Sequence, residues 1–152
     1  MACLELHIEQ ADRLETNQTD IGVVTDIPGI SRYAIKVMGR AGHSGTTRMP
    51  DRQDALVAAS EVITTAQDTG IAIAEQDNKH FVATIGRIDV YPNGAATVPR
   101  EVNMVLDLRA SHEHSRDEFL KQLQTRCMLI SKNRSCKIEM AVSYTHLRAH
   151  ET

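Results

Sequence analysis

The amino-acid sequence predicts an α+β fold from about residue 31 onward, and two kinds of apolar pattern support this prediction. Apolar and other side chains alternate over 33–38 and again over 102–109, which is the two-residue period of a β-strand. Apolar side chains recur at helical spacing over 55–66 and 119–127, so each of these segments has one apolar face. In chain order the patterns read strand, helix, strand, strand, helix, strand.

The residues before this domain have patterns of their own. Leu4–Glu9 alternates strictly, with His7 on the polar face, which is typical of a half-buried strand. Residues 11–20 are polar and predict a short helix or a loop. Ile21–Thr25 predicts a second short strand, which a proline–glycine pair ends. We therefore expect a domain boundary near residue 28.

The first helix of the domain has recognisable ends. Asp51 is predicted to cap its N-terminus, with Asp54 in the first turn where a negative charge suits the helix dipole, and Gly70 is predicted to end it. In the strand that follows, the apolar face shifts by one residue at Gly86–Arg87, which predicts a β-bulge. Tyr91–Gly94 then predicts a turn.

The second half of the domain completes the order. The strand over 102–109 carries Arg109 on its polar face. Ser115–Glu118 has the sequence of a capping box and predicts the start of the second helix, and Ile138–Val142 predicts the last strand. This order is that of the ferredoxin-like fold, a four-stranded antiparallel sheet with both helices on one face and the other face open to solvent or a partner.

Length and composition limit the possible functions. The chain has 152 residues, enough for one ordinary domain or for a small domain with part of another. Its net charge of −3 is spread over interspersed acids and bases, so we expect it to bind neither nucleic acid nor a membrane. The N-terminus lacks the pattern of a signal peptide. The three cysteines are odd in number and lack metal-ligand spacing, which predicts reduced thiols in a cytoplasmic protein.

Gly39–Thr47 links the first strand to the first helix and carries the clearest candidate for chemistry. His43 is its only side chain that titrates near neutral pH. Its three glycines are predicted to leave the backbone free to take positive φ. The loop lacks the Gly-Lys-Ser/Thr ending of a phosphate-binding loop. Taken alone, it is also compatible with a flexible surface loop and an incidental histidine.

Six short motifs together resemble those of a known family. They occur in the order Glu5–Gln10, Ile21–Val24, Gly39–Thr47, Asp54–Leu56, Val82–Gly86 and Leu106–Arg109. The set resembles the metal-dependent amidohydrolases of the M20 peptidase superfamily, in particular the branch of N-carbamoyl-L-amino-acid hydrolase and allantoate amidohydrolase. The resemblance covers residues 4 to about 142.

The resemblance implies an activity and an assembly. It implies a hydrolase that cleaves linear carbon–nitrogen bonds of N-carbamoyl amino acids or allantoate-like ureido acids. Two divalent metal ions, zinc or manganese, activate the attacking water in such enzymes, and a smaller lid domain pairs two subunits into a homodimer. The substrate is therefore expected to be a small molecule.

The same resemblance implies a division of the chain. Residues 1–28 would be a remnant of the α/β catalytic domain, at the end of its first segment, and 29–142 the lid and dimerisation domain. Residues 143–152 match nothing in the family and are expected to be a non-native or disordered tail. The other metal ligands and the general base would lie outside this chain, so we expect a fragment that is inactive alone and does not retain the metals.

Two residues of the N-terminal segment match functional positions of the family. By resemblance, His7 ligates one catalytic metal, a role that suits a neutral imidazole on a polar strand face. Read without the resemblance, His7 is a surface histidine. Gln10 matches a glutamine that contacts the substrate.

Two residues of the lid domain also match functional positions. By resemblance, His43 reaches into the partner subunit's active site and stabilises the oxyanion formed at the scissile amide. Arg109 resembles an arginine that grips the substrate carboxylate, a task that suits its planar fork of donors. The alternative for Arg109 is a salt bridge to Asp107 or Glu101 on the same strand face.

The sequence departs from the family at three places. Ala96 stands where an asparagine often binds the substrate, Ala11 replaces a glycine, and Arg48 stands where a proline is common. The alternative function is a non-catalytic ferredoxin-like module that pairs with a copy of itself or binds a small ligand, because this architecture hosts many functions.

Overall fold

The structure, a computed structural model, describes residues 4–76 and 80–146, with the backbone alone for residues 145 and 146. Its elements, in chain order, are α1 (Arg13–Thr16), β1 (Gly29–Met38), β2 (Gly42–His43), a 3₁₀ turn (Met49–Asp51), α2 (Ala55–Gln76), β3 (Phe81–Tyr91), β4 (Thr97–Val98), β5 (Glu101–Ala110), α3 (Glu113–Arg134) and β6 (Lys137–His146).

The four long strands form one antiparallel sheet in the order β3-β5-β1-β6. The first strand lies at the centre because it pairs with β5 on one side and β6 on the other. β2 and β4 form a separate two-stranded ribbon beyond the end of β1. The predicted α+β, ferredoxin-like arrangement is confirmed.

Both helices cover the same face of the sheet, as predicted. The buried residues of β1 and β5 alternate along each strand, so each strand turns one side to the helices. Phe119 of α3 is fully buried, and its ring lies 5.6 Å from that of Phe81 on β3. The core also contains the ring of Tyr33 and otherwise small, aliphatic or sulfur-containing side chains, and α2 contributes four buried alanines, Ala55, Ala58, Ala59 and Ala66.

Gly70 does not end α2, contrary to the prediction, because the helix continues to Gln76. The glycine lies where α2 crosses the sheet and the other helix. A Cβ at this position would lie 3.6 Å from the Cβ of Ala83 and 4.0 Å from the ring of Phe119. Packing and the apolar residues that follow, including buried Ile73, therefore maintain the helix through a residue with low helix propensity.

The predicted helix starts were also wrong in detail. Asp54, rather than Asp51, caps α2: its Oδ1 accepts hydrogen bonds from the amides of Leu56 at 2.9 Å and Val57 at 3.2 Å. Asp51 lies in the 3₁₀ turn before the helix. Helix α3 begins at Glu113, so Ser115 lies buried in its first turn and the predicted capping box does not mark the start.

The bulge predicted at Gly86–Arg87 is confirmed. The register between β3 and β5 shifts there, with Ile85 opposite Leu106 and Arg87 opposite Val105. Gly86 is the extra residue, so the apolar side chains that follow it return to the helix-covered face.

The two strands predicted before residue 28 are not formed. Leu4–Glu9 and Ile21–Thr25 are irregular and exposed, and no strand of the described residues pairs with either. An isolated strand has no ladder of hydrogen bonds to hold it, so alternation of side chains alone does not produce one. The short helix expected within 11–20 is present as α1, and the Glu9 carboxylate accepts hydrogen bonds from its first two amides.

The last strand is longer than expected. β6 extends through His146, so three residues that the sequence assigned to the tail, Tyr144, Thr145 and His146, pair with β1, and Ser143 lies at a shift of register. The remaining tail residues, 147–152, lie outside the described part of the chain. No helix within the described ranges is long and apolar enough to cross a lipid bilayer.

Candidate functional site

His43 lies at the end of the sheet where β1 finishes and β5 begins. It pairs across the short ribbon with Thr97, and the amide of Ser44 donates a 3.0 Å hydrogen bond to the carbonyl of Ala96. The backbone before the histidine is fixed as well, because the amide of Gly39 donates to the carbonyl of Arg100 at 2.7 Å. The histidine therefore stands on a ribbon joined to both central strands.

The loop after His43 folds back on the histidine itself. The amides of Thr46 and Thr47 donate to the His43 carbonyl at 3.3 and 3.0 Å. The amide of Gly45 donates to the imidazole Nδ1 at 3.1 Å. The side chain is exposed but is held by its own loop, so its other ring nitrogen is available to a ligand.

The glycines of this loop do not serve the purpose predicted from the sequence. No glycine of the described residues has positive φ. Gly39 is required because an added Cβ would overlap the carbonyl oxygen of Gln53, and Gly45 because a Cβ would lie 3.3 Å from Cε1 of His43. Both glycines allow close approach, one between loop and helix entry and the other between loop and imidazole.

Arg52 connects two carbonyls of the same loop. Its Nε donates to the Thr47 carbonyl at 3.0 Å and its Nη2 donates to the Ser44 carbonyl at 2.7 Å. These bonds are partly buried, which makes them stronger than equivalent bonds in water. Sequence reasoning missed Arg52 because its partners are backbone carbonyls, which no side-chain motif reveals.

Arg109 lies on the open face of the sheet in a network of charges. Its Nε donates to Asp107 Oδ1 at 2.8 Å, and Arg32 Nε donates to Oδ2 of the same carboxylate at 2.8 Å. Burial of Asp107 acts to raise its pKa, but the hydrogen bonds from Arg109 and Arg32 outweigh burial and hold the pKa below its ordinary value. The salt bridge considered as an alternative role for Arg109 is therefore present.

This salt bridge leaves part of Arg109 available. Asp107 occupies Nε, whereas the two Nη groups form no hydrogen bond within the described residues. The guanidinium is half-exposed, so its outer edge can meet a carboxylate from solution. The ion pair and the binding of an acid are thus compatible.

His7 and Gln10 lie in the irregular N-terminal segment, and both are exposed. His7 Nε2 is 2.9 Å from the Glu5 carboxylate. The segment folds beside the sheet and lines a cavity of about 580 Å³ that also includes His80 and Ser111. These last two residues adjoin the start of β3 and the end of β5, so His7 lies at the Arg109 end of the sheet.

The structure thus places three of the four predicted site residues at opposite ends of the sheet. Arg109 is opposite Ile30, whereas Glu101 is opposite Met38, eight residues further along β1. At roughly 3.3 Å per residue this is a separation of about 26 Å. Within one chain, His43 lies at one end of the sheet and Arg109 and His7 at the other.

The residues present do not form a metal centre. Within the ranges 4–76 and 80–146, no group of three histidine, cysteine or acidic side chains is close enough to hold an ion. Within the described residues, the ion-pair partner of His7 is the Glu5 carboxylate. The donor set is too small for the two-metal site that the family resemblance implied.

Comparisons with known proteins agree on the nature of the domain. Residues 26–134 match the family described as the peptidase dimerisation domain. Over 114 residues the chain is 46% identical to an N-carbamoyl-L-amino-acid amidohydrolase of Paenarthrobacter aurescens, covering 75% of this chain and 27% of that protein. Over 118 residues it is 36% identical to the allantoate amidohydrolase of Bacillus subtilis, covering 78% and 28%.

A solved structure has the same fold. An amidase of the hydantoinase/carbamoylase family from Burkholderia multivorans superposes with a TM-score of 0.83 at 29% identity. The superposition covers 92% of this chain and 33% of that one. The chain spans about a third of the length of the curated relatives it matches. For an N-carbamoyl-L-amino-acid amidohydrolase of Pseudomonas sp., the match covers 32% of that protein.

Proposed function

The chain belongs to the peptidase dimerisation domain family of the M20 superfamily, and from this we propose that it acts as the lid and subunit-pairing part of an amidohydrolase. The proposed enzyme cleaves a linear carbon–nitrogen bond in a small N-carbamoyl amino acid or a related ureido acid such as allantoate. Support comes from the similarity to an N-carbamoyl-L-amino-acid amidohydrolase and an allantoate amidohydrolase. The buried free thiols Cys127 and Cys136 fit the cytoplasmic location included in this proposal.

In the proposed reaction His43 stabilises negative charge. When water attacks the carbamoyl carbon, charge develops on the carbonyl oxygen, and a donor already aimed at this oxygen lowers the barrier. His43 suits this role because its loop is hydrogen-bonded at both ends and leaves Nε2 exposed. The role requires little movement of the protein during the reaction.

Arg109 is proposed to bind the carboxylate of the substrate. Its Nη groups form no hydrogen bond within the described residues, and two parallel N–H bonds to a carboxylate give both affinity and orientation. Gln10 is proposed to contact the substrate beside it. Because Ala96 offers no polar side chain next to the His43 ribbon, recognition of the acid in this proposal depends on the arginine.

The observation that carries the proposal is the separation of about 26 Å between the two ends of the sheet. No small acid can reach His43 and Arg109 of one chain together. A substrate bound by Arg109 must therefore receive its oxyanion donor from a second chain. We accordingly propose a homodimer in which His43 acts in the partner's site.

The outer edge of β6 is the proposed contact between the two chains. Within the described residues β6 pairs only with β1, and Val142 near its end is 63% exposed. Antiparallel pairing of two copies about a two-fold axis would form one eight-stranded sheet. The His43 end of each chain would then lie on the same side as the Arg109 end of its partner.

His7 is proposed as a ligand of a divalent metal in the complete enzyme. The described residues around His7 do not supply the further ligands that a metal needs. The residues of this chain are therefore proposed to bind the acid and to stabilise the oxyanion.

Subunit complementation tests the proposal. Residues 4–142 of this chain would replace the segment of the Paenarthrobacter aurescens N-carbamoyl-L-amino-acid amidohydrolase that contains the 114-residue match. One variant of the chimaera carries His43→Ala and the other His7→Ala, and each should be nearly inactive alone. Random exchange makes half of the dimers mixed, each with one complete site, so about a quarter of the unsubstituted activity should return on mixing.

A pull-down with a different tag on each variant would verify that subunits exchange. If mixed dimers form and activity stays at the level of the single variants, His43 does not act across the interface. A third mixture, of His7→Ala with Arg109→Ala, should not recover activity. In the proposed dimer each site takes His7 and Arg109 from the same chain, so one site of the mixed dimer lacks His7 and the other lacks Arg109.

A further inference from the structure

The imidazole of His43 is held through one particular nitrogen. A neutral imidazole carries a proton on one ring nitrogen and a lone pair on the other. The Gly45 amide donates to Nδ1 at 3.1 Å, so Nδ1 is the acceptor and the proton resides on Nε2. The hydrogen bond thereby selects one of the two tautomers, as a second partner does for many functional histidines.

The Gly45 amide is held in place by the loop around it. Gly45 lies between Ser44 and Thr47, whose carbonyls both accept hydrogen bonds from Arg52. The Thr47 amide also donates to the His43 carbonyl at 3.0 Å. The guanidinium therefore closes the loop from one side while the histidine backbone closes it from the other.

Arginine is the residue type that this bridge needs. Its rigid planar fork presents Nε and Nη2 in fixed directions and keeps its charge at all physiological pH values. The charge also strengthens both hydrogen bonds to the carbonyls. Arg48 is four residues away but forms only an exposed ion pair with Asp51 at 3.8 Å, so it makes no such bridge.

We propose that Arg52 is a positioning residue: together with the Gly45 amide, it holds the His43 ring so that Nδ1 accepts a hydrogen bond and the proton of the neutral imidazole lies on Nε2. The catalytic meaning of this arrangement rests on the proposed function above. A neutral Nε2–H group can donate to an oxyanion without transferring its proton, so the histidine acts as a hydrogen-bond donor and not as an acid. The absence of a side chain at position 45 is part of the same device, because an added Cβ would press on the ring.

Nuclear magnetic resonance of the ¹⁵N-labelled 152-residue chain tests the inference directly. At a pH of about 8.5, above the range in which imidazoles usually titrate, long-range ¹H–¹⁵N correlation spectra distinguish a protonated ring nitrogen from an unprotonated one. We expect Nδ1 of His43 to be unprotonated and Nε2 protonated, with a cross-peak between the Gly45 amide proton and Hε1 of His43. An imidazole protonated on Nδ1, or one that averages between the two tautomers, would overturn the proposal without any variant being needed.

A matched pair of variants tests the part played by Arg52. In Arg52→Gln we expect an averaged His43 tautomer and amide hydrogen exchange at Gly45 and Thr47 that is faster by about tenfold. Arg48→Gln removes the same charge from the same loop and should leave both quantities unchanged. The sheet amides of each variant must exchange as in the unsubstituted chain, which separates a local effect from general unfolding. Equal behaviour of the two variants would refute the bridge.

Activity of the chimaera separates this inference from the proposed function. Arg52→Gln should lower kcat by about tenfold or more and leave KM within about twofold, because a misplaced donor affects mainly the transition state. Altered tautomers with unchanged kcat would support the positioning role of Arg52 and reject the oxyanion role of His43.

Discussion

Arg109 forms an ion pair with Asp107 and is proposed to bind the substrate carboxylate with the same side chain, and a conservative substitution tests this proposal. In the chimaera, Arg109→Lys should raise KM for carboxylate substrates by about tenfold or more, since lysine retains the charge but loses the two parallel donors. The free energy of unfolding should change little, because the side chain is half-exposed. Steady-state kinetics and urea unfolding measure the two effects. The matched control is Arg87→Lys, because Arg87 is also an exposed arginine paired with an aspartate, Asp89. Unchanged kinetics in Arg109→Lys would show that Arg109 forms the ion pair on the sheet surface and does not bind the substrate.

Asp107 should make the fold sensitive to acid. Its pKa is lowered in the folded chain, so its contribution to stability is complete above the ordinary value of 3.8 and is lost as the pH falls through the lower folded value. Asp107→Asn removes this titration. We therefore expect the variant to be less stable at pH 7 but to lose less stability between about pH 5 and pH 2. Urea unfolding across this pH range measures the free energy of unfolding of both proteins. If this free energy fell equally with pH in the two proteins, the lowered pKa of Asp107 would not contribute to acid sensitivity.

Some site residues could be predicted from the sequence and others could not. The roles of His43 and Arg109 were predicted from their resemblance to positions of a known family, and they stay predictions. Arg52 was missed because it binds backbone carbonyls, and the loop glycines were misread because close approach depends on atoms from distant residues such as Gln53. The bridging of Asp107 between two arginines required the register of β1 against β5.

The entry to α2 can be tested with two aspartates that lie three residues apart. Asp54→Ala should destabilise the chain by about 1 kcal/mol, because it leaves the amides of Leu56 and Val57 without their side-chain acceptor. Asp51→Ala should have a much smaller effect, since Asp51 belongs to the 3₁₀ turn. Thermal or urea unfolding of the two variants gives the comparison. A larger loss of stability in Asp51→Ala than in Asp54→Ala would show that Asp51 is the cap.

Helices and strands were predicted where a local pattern coincided with a partner in space. β1 and β5 were found because their alternation matches the buried face that the helices cover. The prediction that Gly70 ends α2 was wrong because the packing of Gly70 against Phe119 is not visible in the sequence. Leu4–Glu9 shows the converse, since a clear alternation remains irregular without a neighbouring strand.

The mode of pairing between two chains is a property of the whole molecule. A charge placed on the β6 edge would meet its own copy across a two-fold axis, so Val142→Glu should convert the proposed dimer into monomers. Val82→Glu introduces the same charge on β3, the opposite edge strand, where Val82 is also exposed. Its dimer should persist. Sedimentation of both variants distinguishes the edges, and loss of the dimer only in Val82→Glu would assign the interface to β3.

The β-bulge in β3 has a consequence for how far assembly can proceed. A flat sheet with two usable edges can add copies indefinitely and grow into a fibre. Once β6 is taken up in the proposed pair, only the two β3 strands remain at the margins, and each is interrupted at Gly86 and carries the Arg87–Asp89 ion pair beside the interruption. This interruption lies in the middle of β3, whereas the irregularity of β6, at Ser143, lies near the end of that strand, so a regular incoming strand should pair less well with β3 than with β6. We therefore expect one inserted residue to help keep the proposed assembly at two chains.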